Sequence, residues 1–129
     1  KAMLFFPAGL CSRKQKGDIC DLEWKKSFIT KARTHKRDVI PCHINGRNSN
    51  WFYNLSRFRT KLGIKANIEM LYLVDEMFRQ RGKEIVITFG KPISYTTFDK
   101  SKTDVAWAQV LKNHVYSLNK NKNSSFEVD

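Results

Sequence analysis

The sequence predicts an α/β fold, one globular domain in which a small mixed or parallel sheet is flanked by helices. Three observations carry that expectation. Apolar runs of strand length (Ala2 to Phe6, Val39 to Ile44, Glu84 to Phe89) alternate with segments whose apolar residues recur at spacings of three and four. At 129 residues, 41% hydrophobic and 28% charged, the chain is long enough for one core and too short for two. Glycine and proline punctuate the runs, at Pro7 and Gly9, at Gly63, at Gly82, and at Gly90 and Pro92.

The first element, Ala2 to Phe6, reads as a buried strand that stops at Pro7, turns through Ala8 and Gly9, and delivers Cys11, Ser12 and Arg13. A strand followed by such a turn is where an α/β protein offers backbone N–H groups and side chains to a ligand. Gly17 and the candidate caps Asp18 and Asp21 then lead into a helix with Leu22, Trp24, Phe28, Ile29 and Ala32 on one face and lysines on the other. Val39 to Ile44 is a strand whose Pro41 implies an edge position, a strand end or a bulge. Trp51 to Leu62 is a second amphipathic helix: Trp51, Leu55, Phe58 and Leu62 share a face, Arg57, Arg59 and Lys61 point elsewhere, and Gly63 ends it. The same period serves both a core-packed helix, read first, and a helix lying at a membrane interface, read second.

A further helix is predicted over Ile68 to Arg79, capped by Asn67, with Leu71, Val74 and Phe78 as its buried stripe. Glu84 to Phe89, rich in β-branched residues, is the clearest strand. In the last helix Ser101 and Asp104 resemble a capping box, and Trp107, Leu111, Val115 and Leu118 form the core face. The domain is expected to span residues 1–118, with a polar tail over 119–129. Three strands make a thin sheet, so further strands are expected from an N-terminal part not included here or from a second copy of the chain in a homo-oligomer.

The formal charge is +12, from 24 Lys plus Arg against 12 Asp plus Glu. Residues 1–65 carry 15 basic and 4 acidic groups, so the excess lies in the half that contains the opening turn. Such a field attracts polyanions: nucleic acid, anionic lipid, phosphorylated substrates or an acidic carrier protein. No apolar stretch approaches the roughly 18–20 residues that span a bilayer. Three cysteines, Cys11, Cys20 and Cys42, match no paired metal or redox spacing and suit a reducing compartment. A zinc site from these and His43 is disfavoured, because structural zinc draws on closely spaced ligand pairs, and no cofactor is expected. The opening lysine runs straight into an apolar segment, which reads as a piece of a longer protein.

Several ordered segments together resemble the lysophospholipid-type acyltransferases. F-P-A-G-L-C-S-R, from Phe6 to Arg13, is similar to that family's third motif, usually F-P-E-G-T-R-S, and closest to the F-P-A-G variant of its hemolysin-like branch. Downstream, Trp24 to Ala32, Val39 to Ser49 and Arg81 to Ile93 resemble the same branch in the same order, with Val39 to Pro41 at the fourth motif. The resemblance implies a partial glycerolipid-acyltransferase-type fold. It also implies an acceptor-binding wall of Phe6, Pro7, Gly9, Ser12, Arg13 and Pro41, and an anionic-membrane surface of Lys14, Lys16, Trp51, Arg57, Arg59 and Lys61. The implied donor is acyl carrier protein or acyl-CoA, at the cytoplasmic face of the inner membrane. Ala8, Leu10 and Cys11 replace the motif's glutamate, threonine and arginine, leaving Arg13 as the nearest cation. An arginine fork suits phosphate, so its displacement argues against a glycerophosphate acceptor; the resemblance to the F-P-A-G branch, whose relatives include enzymes that acylate the amino group of an amino acid, implies an amino-acid or lysolipid acceptor, an amine first among them.

The family's general base and its orienting carboxylate occur as H-x-x-x-x-D, because an acceptor attacking a thioester must lose a proton. None of His35, His43 and His114 has an aspartate at that spacing; His35 has Asp38 only three positions on. The chain is therefore expected to bind acceptor and surface without performing the chemistry. His43 reads as a half-buried structural residue, since no partner for it is visible. Two alternatives rest on less. A nucleic-acid-binding module would use the charge and the 9 Phe, 4 Tyr and 3 Trp, but most aromatics fall on core faces, and no nucleic acid is expected. A nucleophilic Cys11 beside Arg13 lacks a placed base.

Overall fold

The structure, a computed structural model, describes residues 2–15, 17–121 and 124–127. In chain order the elements are β1 (Arg13–Gln15), β2 (Asp18–Cys20), α1 (Ser27–Thr34), β3 (Cys42–Asn45), α2 (Asn50–Lys61), a 3-10 segment (Ile68–Tyr72), α3 (Leu73–Phe78), β4 (Val86–Phe89), a second 3-10 segment (Tyr95–Thr97) and α4 (Asp104–Ser117). The α/β class is as expected. Among the described residues, however, the strands form two antiparallel pairs, β1 with β2 and β3 with β4. The chain clusters into two compact units. One comprises residues 1–11, 21–45 and 86–129, and the other residues 12–20 and 46–85.

In the first unit the core gathers Trp24, Phe28, Ile29, Ile93, Phe98, Trp107, Ala108, Leu111 and Val115, with Phe5, Ala8, Val39 and Phe126 packed against it. α4 buries Trp107, Leu111 and Val115, the stripe its spacing predicts, and Leu118 follows at its end. Its cap is Thr103, whose hydroxyl accepts from the Ala106 N–H at 3.2 Å. Asp104, expected as the partner in a capping box, instead pairs with Arg33 at 2.5 Å and accepts from the Thr30 hydroxyl at 2.7 Å. Thr103→Ala should cost about 1 kcal/mol of stability, read as a lower denaturant midpoint; an unchanged midpoint would return the cap to Ser101.

α1 begins later than its periodicity suggests. Residues 21–26 stay out of the helix because α4 occupies their backbone: Lys112 Nζ donates to the carbonyls of Asp21 (2.7 Å) and Leu22 (3.0 Å), and Gln109 Nε2 donates to that of Trp24 (3.2 Å). Asp21 caps no helix; its carboxylate accepts from the Trp24 indole at 3.0 Å. β3 and β4 run in register from Cys42 opposite Phe89 to Asn45 opposite Val86, and an isolated bridge joins Val39 to Ile93. Pro41 sits just before β3, where its carbonyl accepts from the Gly90 N–H at 2.8 Å and no donor is asked of it. Gly90 has no room for a side chain, since a Cβ there would lie 2.8 Å from Pro41 Cγ.

The expected strand Ala2 to Phe6 does not form. A strand needs a neighbour for its backbone groups, and none pairs with it among the described residues, so Met3, Leu4 and Phe6 are exposed while Phe5 packs on the core. In the second unit the hairpin β1–β2, turning at Gly17 with φ of +101°, takes the place of the expected approach to a helix, and Asp18 lies in β2 rather than at a cap. α2 keeps its predicted span, with Ser49 as its cap and Gly63 beyond its end at φ of +71°, but it buries Phe52, Tyr53 and Ser56 and leaves Trp51, Phe58 and Leu62 of the predicted face exposed. The helix predicted over Ile68 to Arg79 is instead a 3-10 turn running into the short α3, and Asn67 makes no side-chain cap. Its predicted stripe is inverted: Leu71, Val74 and Phe78 are exposed, and Glu69 and Glu76 are buried.

Candidate acceptor-binding site

Phe6 to Gly9 form a tight turn closed by the Gly9 N–H donating to the Phe6 carbonyl at 3.0 Å. Gly9 has φ of +69°, a conformation that glycine adopts without strain. The turn is tied to the segment entering α1, because the Lys25 N–H donates to the Pro7 carbonyl at 3.0 Å. Pro7 is half-buried and Pro41 buried, whereas the Phe6 side chain is exposed. Together with Gly9 these residues belong to the first unit.

Ser12, half-buried, and Arg13 belong to the second unit. Arg13 begins β1 and is buried, with Nη2 donating to Glu69 Oε1 at 2.8 Å and the guanidinium lying 5.6 Å from the centre of the Phe52 ring. Arg59 of α2 meets the same carboxylate, its Nε at 2.8 Å from Oε2 and its Nη2 at 3.2 Å from Oε1. Ser56 adds a hydroxyl at 3.3 Å. Two arginines expected in separate roles are thus brought together on one fully buried carboxylate, which the sequence reading did not single out. Its signal was faint. Glu69 and Glu76 stand a heptad apart, on the face opposite the apparent apolar stripe.

Burial is the largest influence on Glu69 and pushes its pKa up. The Glu69 backbone N–H, the Arg59 hydrogen bond and the charges of Arg13 and Arg59 outweigh it, so the net shift is downward. The carboxylate therefore stays ionised between two cations, and the cluster carries net positive charge. Glu76 is likewise buried, accepting at 2.5 Å from both the Ser49 N–H and the Ser49 hydroxyl, which fixes the start of α2.

Of the expected surface residues, Lys14, Trp51, Arg57 and Lys61 are exposed, Arg59 is half-buried on Glu69, and Lys16 lies outside the described residues. His43, in β3, is half-buried with its ring edge-on to Tyr116 at 6.1 Å. Desolvation lowers its pKa, and the charge of Asp21 opposes that. His114 is lowered by burial as well. The three cysteines form no disulfide, and among the described residues no cluster of three His, Cys, Asp or Glu could hold a metal ion.

The acyltransferase family model matches residues 1–125. Among curated proteins, the chain is 60% identical over 116 residues to a lyso-glycine lipid O-acyltransferase of Bacteroides thetaiotaomicron, covering 90% of this chain and 43% of that protein. It is 57% identical over 116 residues to a lyso-glycine lipid O-acyltransferase of Phocaeicola vulgatus, covering 90% of this chain and 42% of that protein. The chain thus spans less than half the length of these relatives. No solved structure matches it significantly. With its F-P-A-G turn and the downstream segments inside the matched span, the chain belongs to the acyltransferase family.

Proposed function

We propose that this chain supplies part of the acceptor side of an enzyme that moves a fatty acyl group onto the hydroxyl of a lyso-glycine lipid. The observation that carries the reading is the 60% identity over 116 residues to a protein of that named activity. The acceptor oxygen would attack the thioester carbonyl of acyl-CoA or of acyl carrier protein. An ester C–O bond would form as the C–S bond breaks, and the acceptor proton would pass by way of a base to the leaving thiolate. A hydroxyl acceptor accords with the O-acyltransferase names of both relatives and replaces the amine first favoured by the sequence.

Within the first unit the F-P-A-G turn and Pro41 would shape an acceptor wall. Within the second, Glu69 holds the Arg13 guanidinium in place beside Ser12. The general base is assigned to an H-x-x-x-x-D pair outside these residues. The 129-residue chain, given lyso-glycine lipid with either donor, should therefore show no transfer. Co-expression with the part of the Bacteroides relative that this chain does not cover should restore it. Turnover by the chain alone would overturn the division of labour, and a reconstituted pair that acylates only lysophospholipid would overturn the acceptor.

A further inference from the structure

An ammonium group lies against the F-P-A-G turn. The Lys25 N–H donates to the Pro7 carbonyl at 3.0 Å, and the side chain then runs back over the turn: a Cβ placed on Gly9 would lie 3.4 Å from Lys25 Nζ and 3.7 Å from its Cε. The lysine therefore rests on bare glycine backbone, held left-handed at φ of +69°. Its own backbone is fixed from the other side as well. Trp24, next to it, is buried, and the Trp24 carbonyl accepts from Gln109 Nε2 of α4 at 3.2 Å. A second cation flanks the segment entering the turn, Lys31 of α1, with Nζ 5.8 Å from the centre of the Phe5 ring. Both lysines are exposed, and among the described residues no carboxylate pairs with either ammonium. Ala8, within the turn, is neutral and packs on the core. All of these residues belong to the first unit.

We infer, resting on the acyl-transfer reading above, that Lys25 is the cationic contact for the carboxylate of the acceptor headgroup and selects an acidic amino-acid lipid at the F-P-A-G turn. A glycine acylated on its nitrogen keeps its carboxylate, which is ionised at neutral pH, and it has no cation of its own to balance that charge. An ammonium suits so small an anion, being a compact point charge with three rotatable donors. A carboxylate oxygen reaching Nζ makes a charge-assisted hydrogen bond of about 2.7–2.9 Å. A lysine without a task extends into water and keeps its rotamer freedom; lying along the turn gives up part of it, which a bound anion repays. Arg13, the nearest cation in sequence to the turn, has its guanidinium on Glu69 within the other unit, so the charge available to a ligand of the first unit's turn is that of Lys25. Lys31 raises the positive potential there but is drawn to Phe5.

The test uses the full 129-residue chain, labelled with nitrogen-15 and titrated with N-hexanoylglycine or N-hexanoylglycinamide, which differ in headgroup charge. N-Hexanoylglycine should move the amide signals of Gly9 and Lys25 along a saturating curve with a roughly millimolar midpoint, and the glycinamide should leave them in place. Lys25→Met should weaken the binding at least about tenfold with the remaining signals unmoved, and Lys25→Arg should retain most of it. Lys26→Met removes the same charge from the neighbouring exposed position and should weaken binding no more than about twofold. In the reconstituted pair, Lys25→Met should raise KM for lyso-glycine lipid about tenfold and change kcat little. Three results would overturn the proposal: no movement of the Gly9 and Lys25 signals, equal binding of the two probes, or equal weakening by Lys25→Met and Lys26→Met. Tighter binding of hexyl phosphate than of N-hexanoylglycine would overturn the carboxylate as the selected anion. Headgroup binding beside a reconstituted pair that transfers no acyl group would keep this contact and remove the acyl-transfer reading, whereas transfer without headgroup binding would do the reverse.

Discussion

Glu69→Ala should lower the unfolding free energy of the chain by about 3–5 kcal/mol, because it strands two buried guanidinium groups at once. Arg13 and Arg59 have side chains only 11% exposed, and Glu69 is fully buried between them. Urea denaturation followed by circular dichroism measures the loss; a change below about 1 kcal/mol would mean that water replaces the carboxylate without penalty. Glu69→Gln should lose less, since the amide oxygen still accepts hydrogen bonds but carries no charge. The two variants also separate on the pH axis. A carboxylate whose folded pKa is depressed adds stability that is complete above its unfolded value and is lost as pH falls through the folded one. Stability of the unaltered chain should therefore decline as pH drops below the ordinary glutamate value of 4.5, and Glu69→Gln should show a shallower decline there. Identical acid profiles would remove Glu69 as the source.

Trp107→Ala should cost a similar amount, about 3–5 kcal/mol, in the other unit. The ring is 1% exposed, meets Phe98 edge-on at 5.7 Å and donates from Nε1 to the Asp99 carbonyl at 3.1 Å, while the Lys102 ammonium lies 5.4 Å from its centre. Trp107→Phe keeps most of the apolar contact and drops the donor, so its cost should be nearer 1–3 kcal/mol, roughly that of an unmet hydrogen bond plus a small void. If phenylalanine proved as damaging as alanine, the indole N–H rather than packing would dominate. Thermal or urea midpoints of the two variants decide it.

The contrast between these residues explains what the sequence could disclose. Trp107 was legible because α4 is long, its apolar positions recur at three and four, and the core it meets is apolar throughout. The same periodicity misled over Ile68 to Arg79, since a stripe has one period whether it faces a core or the outside. What decides there is the burial of Glu69 and Glu76, whose partners lie elsewhere: Arg13 is 56 residues away and Ser49 is 27. Such long-range pairing leaves little trace in a window of neighbours. The β1–β2 hairpin escaped for a different reason, its strands being only three residues each, too short to show alternation. The opening motif was recognised by its letters, but not its surroundings; Ala2 to Phe6 has strand composition and lacks a strand partner among the described residues.

The bond between the Lys25 N–H and the Pro7 carbonyl bears on how that motif could be moved or redesigned. A signature eight letters long suggests a portable peptide that could be grafted into another scaffold with its binding properties intact. Here the turn keeps its shape by leaning on a strand of backbone eighteen positions later, and Ala8 packs on the core that Trp24 and Phe28 begin. The transplantable unit is discontinuous, the F-P-A-G segment plus the run from Trp24 into α1, and an exchange between relatives should swap both together or neither.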